Sequence, residues 1–199
     1  MLMRGFNYKK AVQALNFLAE KNGSPLNKMK AIKLIWLADR LHLRTYGRTI
    51  TGDVYFALPY GPVPSTTRDI LEINSFSLSD DELNYSNEYL VITDKLNYNT
   101  NKVPNTKVFS KTDLDILEKI LEKYGAFDQF TLSKLSHQFP EWKKYESALK
   151  QKVASRFEMN YIDFFEDVDD STKLFIADPS STQLAKDIYL EDQKMSNIL

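Results

Sequence analysis

The 199-residue sequence contains no cysteine. A disulfide framework and a thiolate zinc site are thereby excluded, and a reducing compartment is the expected home. Histidine is nearly absent too, with only His42 and His137. A Gly-rich phosphate loop, an H-E-x-x-H pair and a G-x-S-x-G elbow are all missing, so the common local signatures of phosphate, zinc and serine chemistry are not there. An excess of one charge is also lacking. With 26 Lys and Arg against 27 Asp and Glu, the net charge of -1 gives no global drive toward nucleic acid or an anionic membrane. The longest purely apolar stretch, residues 34–38, falls far short of the roughly 20 residues of a membrane helix. Residues 1–7 hold no apolar segment of signal-peptide length and lead straight into a helical pattern. A cytoplasmic protein without membrane association is expected.

What is present suits a folded chain. The 43% apolar and 27% charged content is ordinary for a globular protein, and the length suffices for one domain with a small appendage. Apolar spacing predicts a first helix over 8–21, with Val12, Leu15, Leu18 and Ala19 on one face and Asn22-Gly23 as its stop. A second helix is predicted over 26–46, closed by Gly47. Its middle, 31–38, is apolar nearly all round, which marks the element that other helices surround. Residues 54–58 have strand composition, and 60–64 must be extended because Pro62 and Pro64 disfavour helix in the residue before each.

Ser65 is placed to cap a helix over 66–73. Residues 88–99 read as strand, turn near Asp94 and second strand, and 97–106 as a polar loop. Ser110 and Asp113 open a helix striped by Leu114, Leu117, Leu121 and Tyr124 and ended by Gly125. Two shorter helices, 131–138 and 143–152, are expected on either side of Pro140. Another is expected over 160–165, and a last one runs from a Ser180 cap to Asp192. The fold class is therefore mainly α: a compact helical domain over 1–165 with a small β-hairpin or short-strand insertion, and a helical extension over 166–199 packed on it.

The near-zero net charge hides segregation. Residues 28–48 carry six bases (Lys28, Lys30, Lys33, Arg40, Arg44 and Arg48) and one acid, Asp39. Residues 69–94 carry seven acids and no Lys or Arg, and 157–172 carry six acids and no base. Docking of the basic helix on these acidic stretches is the plain explanation. Arg40 and Arg44 nevertheless form a like-charge i,i+4 pair, which costs an isolated helix about 0.2–0.5 kcal/mol. Such a pair is either solvated or tolerated because something acidic binds there.

The segment 37–65 carries the most specific pattern. Asp39-Arg40 and His42 stand near a helix end, followed by Tyr46-Gly47-Arg48, Ile50-Thr51-Gly52-Asp53 with Tyr55, and Gly61-Pro62-Val63-Pro64-Ser65. His137 with Trp142 adds a looser feature. This closely resembles the signature of the Panacea-domain family, the SocA-like antitoxins, also known as phage-associated proteins. The resemblance is strong over 31–70 and extends to about 165. Two departures, Thr49 where the family often has proline and the Leu58-Pro59-Tyr60 variant of a tolerant stretch, bear on which partner is recognised.

The resemblance implies a non-enzymatic antitoxin that neutralises a cognate toxin, encoded adjacently, by direct binding. One branch of the family acts instead as an adaptor that delivers its toxin to an ATP-dependent protease. No cofactor and no metal are implied.

Read residue by residue, Gly47, Gly52 and Gly61 serve turns. Asp53 pairs with Arg48 across the loop, or Asp39 or Asp53 pairs with Arg40. His42 lies on the polar side of the second helix or packs beneath the loop. His137 hydrogen-bonds the chain near Pro140, Ser65 caps, and Trp36, Trp142, Tyr55 and Phe56 are core. The expected partner surface is Arg40, Arg44, Tyr46, Arg48, Tyr60, Pro62 and Pro64, arginines beside a stiff aromatic turn. The acidic tail is an alternative source of toxin contacts.

Two other functions compete. Asp39, His42 and Asp53 are the best candidate metal set for a hydrolase or nuclease, although carboxylates are too common to weigh much. The basic stretch 28–48 is a candidate for a DNA-binding autoregulator, but its apolar middle and the net charge count against lying in a groove.

Overall fold

The computed structural model describes residues 5–196; residues 1–4 of the expected N-terminal segment and 197–199 of the expected extension lie outside them. α1 (Tyr8–Asn22) is capped by Asn7, whose side chain accepts the Lys10 amide, and stops at Gly23. α2 (Lys28–Tyr46) is the hub of the molecule. Every residue in 31–44 is buried, and α1 and several later elements pack around it. The helix starts two residues later than periodicity suggests because Leu26 and Asn27 form a short strand, β1 (Leu26–Asn27), before it.

β2 (Tyr55–Leu58) and β3 (Gly61–Pro64) make an antiparallel hairpin with Tyr55 opposite Pro64 and Leu58 opposite Gly61. Both prolines sit in an edge strand, where a missing N–H costs no ladder bond. β6 (Phe157–Glu158) pairs with the other side of β2, giving the order β3-β2-β6. α3 (Ser65–Glu72) follows the hairpin directly, but Ser65 is not its cap. The Asp53 carboxylate accepts the amides of Thr66 (3.0 Å) and Thr67 (2.7 Å) instead.

α4 (Asp80–Tyr89) has no counterpart in the sequence reading. Its start is set by a reciprocal capping box between Ser79 and Glu82, and it buries only Ser86, so it has almost no apolar period. β4 (Leu90–Ile92) and β5 (Asn97–Thr100) pair through a turn at Asp94, and β1 joins them in the order β1-β5-β4. The expected polar loop over 97–106 is thus a strand followed by a 3₁₀ turn at Thr106–Val108. Tyr98 explains the difference, since it is fully buried and donates to the Leu15 carbonyl at 2.9 Å.

α5 (Lys111–Tyr124) opens with the expected Ser110–Asp113 box. α6 (Gln129–Ser136), α7 (Pro140–Lys143) and α8 (Glu146–Lys150) follow. Pro140 does not separate two helices; it begins α7, where its fixed φ is already helical. Residues Tyr161–Phe165 form a 3₁₀ helix. α9 (Pro179–Ser196) lies along α2. Gly47 admits it: a Cβ there would sit 2.7 Å from the Ala185 carbonyl and 2.8 Å from Ile188 Cγ2. The fold is mainly α with two small three-stranded sheets, and among the described residues no helix is long and apolar enough to cross a membrane.

Candidate functional site

Two buried carboxylates shape the loop between α2 and the hairpin. Asp39 accepts the amides of Ile50 (2.8 Å) and Thr51 (3.1 Å), the Tyr55 hydroxyl (2.8 Å) and the Thr51 hydroxyl. Asp53 holds the start of α3 and takes the Thr67 hydroxyl as well. Burial pushes both carboxyls up, and these hydrogen bonds pull them back. Neither acid pairs with Arg40, and Arg48 does not pair with Asp53. Each carboxylate instead satisfies backbone amides that the loop would otherwise bury without partners.

Arg48 reaches Asp113 at 2.9 Å, beside Lys10 at 2.5 Å. His42 packs beneath the loop. Its Nδ1 donates to the Arg48 carbonyl at 2.8 Å, and its Nε2 lies 3.0 Å from Asp113. Burial would raise the Asp113 carboxyl, but His42, Lys10, the Ser110 amide and Arg48 outweigh it and hold the group far below the usual carboxylate range.

Arg40 and Arg44 lie inside the molecule and not on its surface. The Arg40 guanidinium sits between the rings of Phe139 and Phe175, 4.8 and 4.7 Å from their centroids, and its Nε donates to Glu141 at 2.7 Å. Arg44 donates to the carbonyls of Phe165, Glu166 and Phe175 and to Asp167. The like-charge pair is tolerated because each guanidinium faces several acceptors, most of them in the stretch 157–172, with the Glu166 carbonyl taken by both. Asp39, His42 and Asp53 face different partners and do not converge on a common point. Among the described residues no group of three or more His, Asp or Glu is placed to hold a metal ion.

The hairpin tip is held differently. Four of its carbonyls meet side-chain donors from the helices: Leu58 from Trp142 Nε1 (2.8 Å), Pro59 from His137, Tyr60 from Ser133 (2.9 Å) and Pro62 from Lys33 (2.8 Å). His137 lies flat on Trp142 at 3.8 Å. Gly61 has φ +99°, and a Cβ there would collide with Ser136 Oγ and stand 2.7 Å from Lys33 Nζ. Pro62 and Pro64 are buried, whereas the Tyr60 side chain stands out with the residue 67% exposed. Phe130, one helical turn before Ser133, is 65% exposed and shares that face of α6. Tyr46 is also exposed, with its ring 4.7 Å from that of His42.

The sequence reading missed Lys33, Asp113, Ser133, Phe130 and Glu141. Asp113 carried only the signal of a helix start, whereas Lys33 carried a local signal as a lysine inside an otherwise apolar stretch. Burial lowers its pKa to about 7, so the folded state favours the neutral amine. Between pH 7 and the ordinary lysine range the unfolded chain binds a proton that the folded chain does not, so stability from this site rises with pH across that window. Below pH 7 both states are protonated and the contribution is flat. Relative to Lys33→Met, the wild type is expected to gain about 1–3 kcal/mol between pH 7 and 9 in urea unfolding. A constant difference between the two proteins across that range would refute the neutral amine.

Fold and site together define a mainly helical scaffold with a buried polar frame and a pinned aromatic tip. The family model described as Antitoxin SocA-like, Panacea domain, matches residues 32–143, more than half of the chain, and the chain belongs to this family. No curated protein and no solved structure matches it.

Proposed function

We propose that this protein is a cytoplasmic, non-enzymatic antitoxin that neutralises a cognate toxin, encoded adjacently, by direct binding, with Tyr60 at the centre of the contact surface. The observation that supports this reading is the pinning of the Leu58, Pro59, Tyr60 and Pro62 carbonyls by Trp142, His137, Ser133 and Lys33. A tip already held in one conformation loses little entropy on binding. Tyrosine is among the residues that dominate interface hot spots, and Phe130, exposed on the helix that holds the Tyr60 carbonyl, supplies a second aromatic contact. Because Arg40 and Arg44 serve the interior, they drop out of the contact surface; Tyr46 and Arg48, at and just after the end of α2, are a second, separate contact, and Pro62 and Pro64 act by stiffening the turn. The binding core spans 1–165, with 166–199 as an extension packed on it.

The test is growth after inducing the neighbouring open reading frame alone and together with this protein, followed by co-purification. Rescue and a stable complex are expected. Combined Tyr60→Ala and Phe130→Ala should keep the melting temperature but weaken the complex by about 100-fold or more, the loss of one to two hot spots. Rescue by that variant equal to wild type would remove Tyr60 from the interface. Toxin abundance separates two modes of action: occlusion leaves it unchanged, and delivery to an ATP-dependent protease lowers it.

A further inference from the structure

A cleft of about 410 Å³ opens beside the loop between α2 and β2, at the opposite end of β2 from Tyr60. We propose that it is a binding site for a small, uncharged, flat aromatic molecule. Its volume falls in the range of about 300–1,000 Å³ typical of small-molecule pockets. Phe6, Leu43, Ile50, Val54, Tyr161 and Tyr189 supply apolar and aromatic wall, with the two tyrosine rings 6.2 Å apart at 52°.

The walls come from four separate segments, each fixed from behind, and the Tyr161 hydroxyl donates to the Asp53 carbonyl. Asp39 anchors the loop amides, and the Asn7 amide donates to the Thr51 carbonyl at 2.8 Å. Gly47 lets α9 approach closely enough to bring Tyr189 to the cleft. The space is therefore enclosed by held surfaces, not by loose side chains.

The ligand class follows from the state of the charges. Lys10 and Arg48 line the cleft, but both are paired with Asp113 behind it. Asp53 also lines it, and its carboxylate is occupied by the amides at the start of α3. Asp192, on the α9 side, is likewise engaged. A charged ligand would give up its water to face groups whose hydrogen bonds are already committed elsewhere. An uncharged aromatic one gains the ring contacts without that loss.

Fluorescence titration with phenylnaphthylamine, a neutral probe, and with its sulfonated counterpart anilinonaphthalene sulfonate tests this. The neutral probe is expected to bind saturably, one molecule per chain, and roughly tenfold or more tighter than the sulfonate. Val54→Trp, which fills the cleft from a partly exposed position, should abolish binding with the helical circular dichroism unchanged. Tyr189→Ala should weaken it roughly tenfold. Absence of saturable binding, equal or tighter binding of the sulfonate, or wild-type affinity in Val54→Trp would each overturn the proposal. If Val54→Trp does not fold, wild-type affinity in Tyr189→Ala overturns it just as well.

Discussion

Replacing Glu141 by alanine is expected to cost about 3–5 kcal/mol of folding stability, because it strands a buried guanidinium. Arg40 and Glu141 have fully buried side chains. A guanidinium cannot escape the interior by shedding its proton, because its charge is delocalised and permanent. Among the described residues Arg40 Nη1 already lacks a hydrogen-bond partner, so losing the Nε acceptor leaves only the Glu166 carbonyl at 2.6 Å for the whole group. The rings of Phe139 and Phe175 hold the guanidinium in place and block its retreat to water. Chemical denaturation of the wild type and Glu141→Ala measures the loss. The double variant Arg40→Met, Glu141→Leu should recover most of it, because removing both charges removes the desolvation penalty. A Glu141→Ala loss under about 1 kcal/mol would mean that water reaches Arg40.

Asp39→Ala ranks next, at about 3–4 kcal/mol, through several buried donors losing their acceptor at about 1–3 kcal/mol each. The amides of Ile50 and Thr51 and the hydroxyls of Thr51 and Tyr55 all converge on this one carboxylate. Partial relaxation of the loop keeps the sum below the arithmetic maximum. Asp39→Asn should cost less, since its remaining carbonyl oxygen still receives the two amides. Near-ultraviolet circular dichroism should change together with stability, as Tyr55 loses its fixed hydroxyl partner. A melting temperature within a degree or so of wild type for Asp39→Ala would show that the loop is held by other means.

The parts of the fold legible in the sequence are those whose causes are local. α2 and α5 announce themselves by apolar period and by caps within a few residues of their ends. α4 hides because its amphipathicity is slight, leaving Ser79 and Glu82 as the only written trace. The cap of α3 hides for the opposite reason: the eye falls on the adjacent Ser65, while the acceptor that does the capping, Asp53, stands before the hairpin.

The site follows the same division. The family resemblance marked Asp39, His42, Gly47, Gly52, Asp53, Gly61, Ser65, His137 and Trp142; in the structure Asp39, His42, Gly47 and Asp53 stand around the loop, and Gly61, His137 and Trp142 around the tip. It could not say which way a marked residue faces. Arg40 and Arg44 suggested a surface because two like charges stand one helical turn apart. The answer for Arg40 lies 101 residues away in Glu141, and that for Arg44 lies more than 120 residues away in Asp167. Pairings at such separation leave no periodicity to read.

The pinned hairpin tip has a mechanical consequence. A pull applied at Tyr60 does not load only the short ladder between β2 and β3. It passes through Ser133 into α6, through His137 and Trp142 into the α6–α7 corner, and through Lys33 into the middle of α2. Those anchors are drawn from distant parts of the chain, so the load is shared across the fold. The tip behaves as the free end of a clamped beam, and its stiffness is that of the helices in which it is rooted.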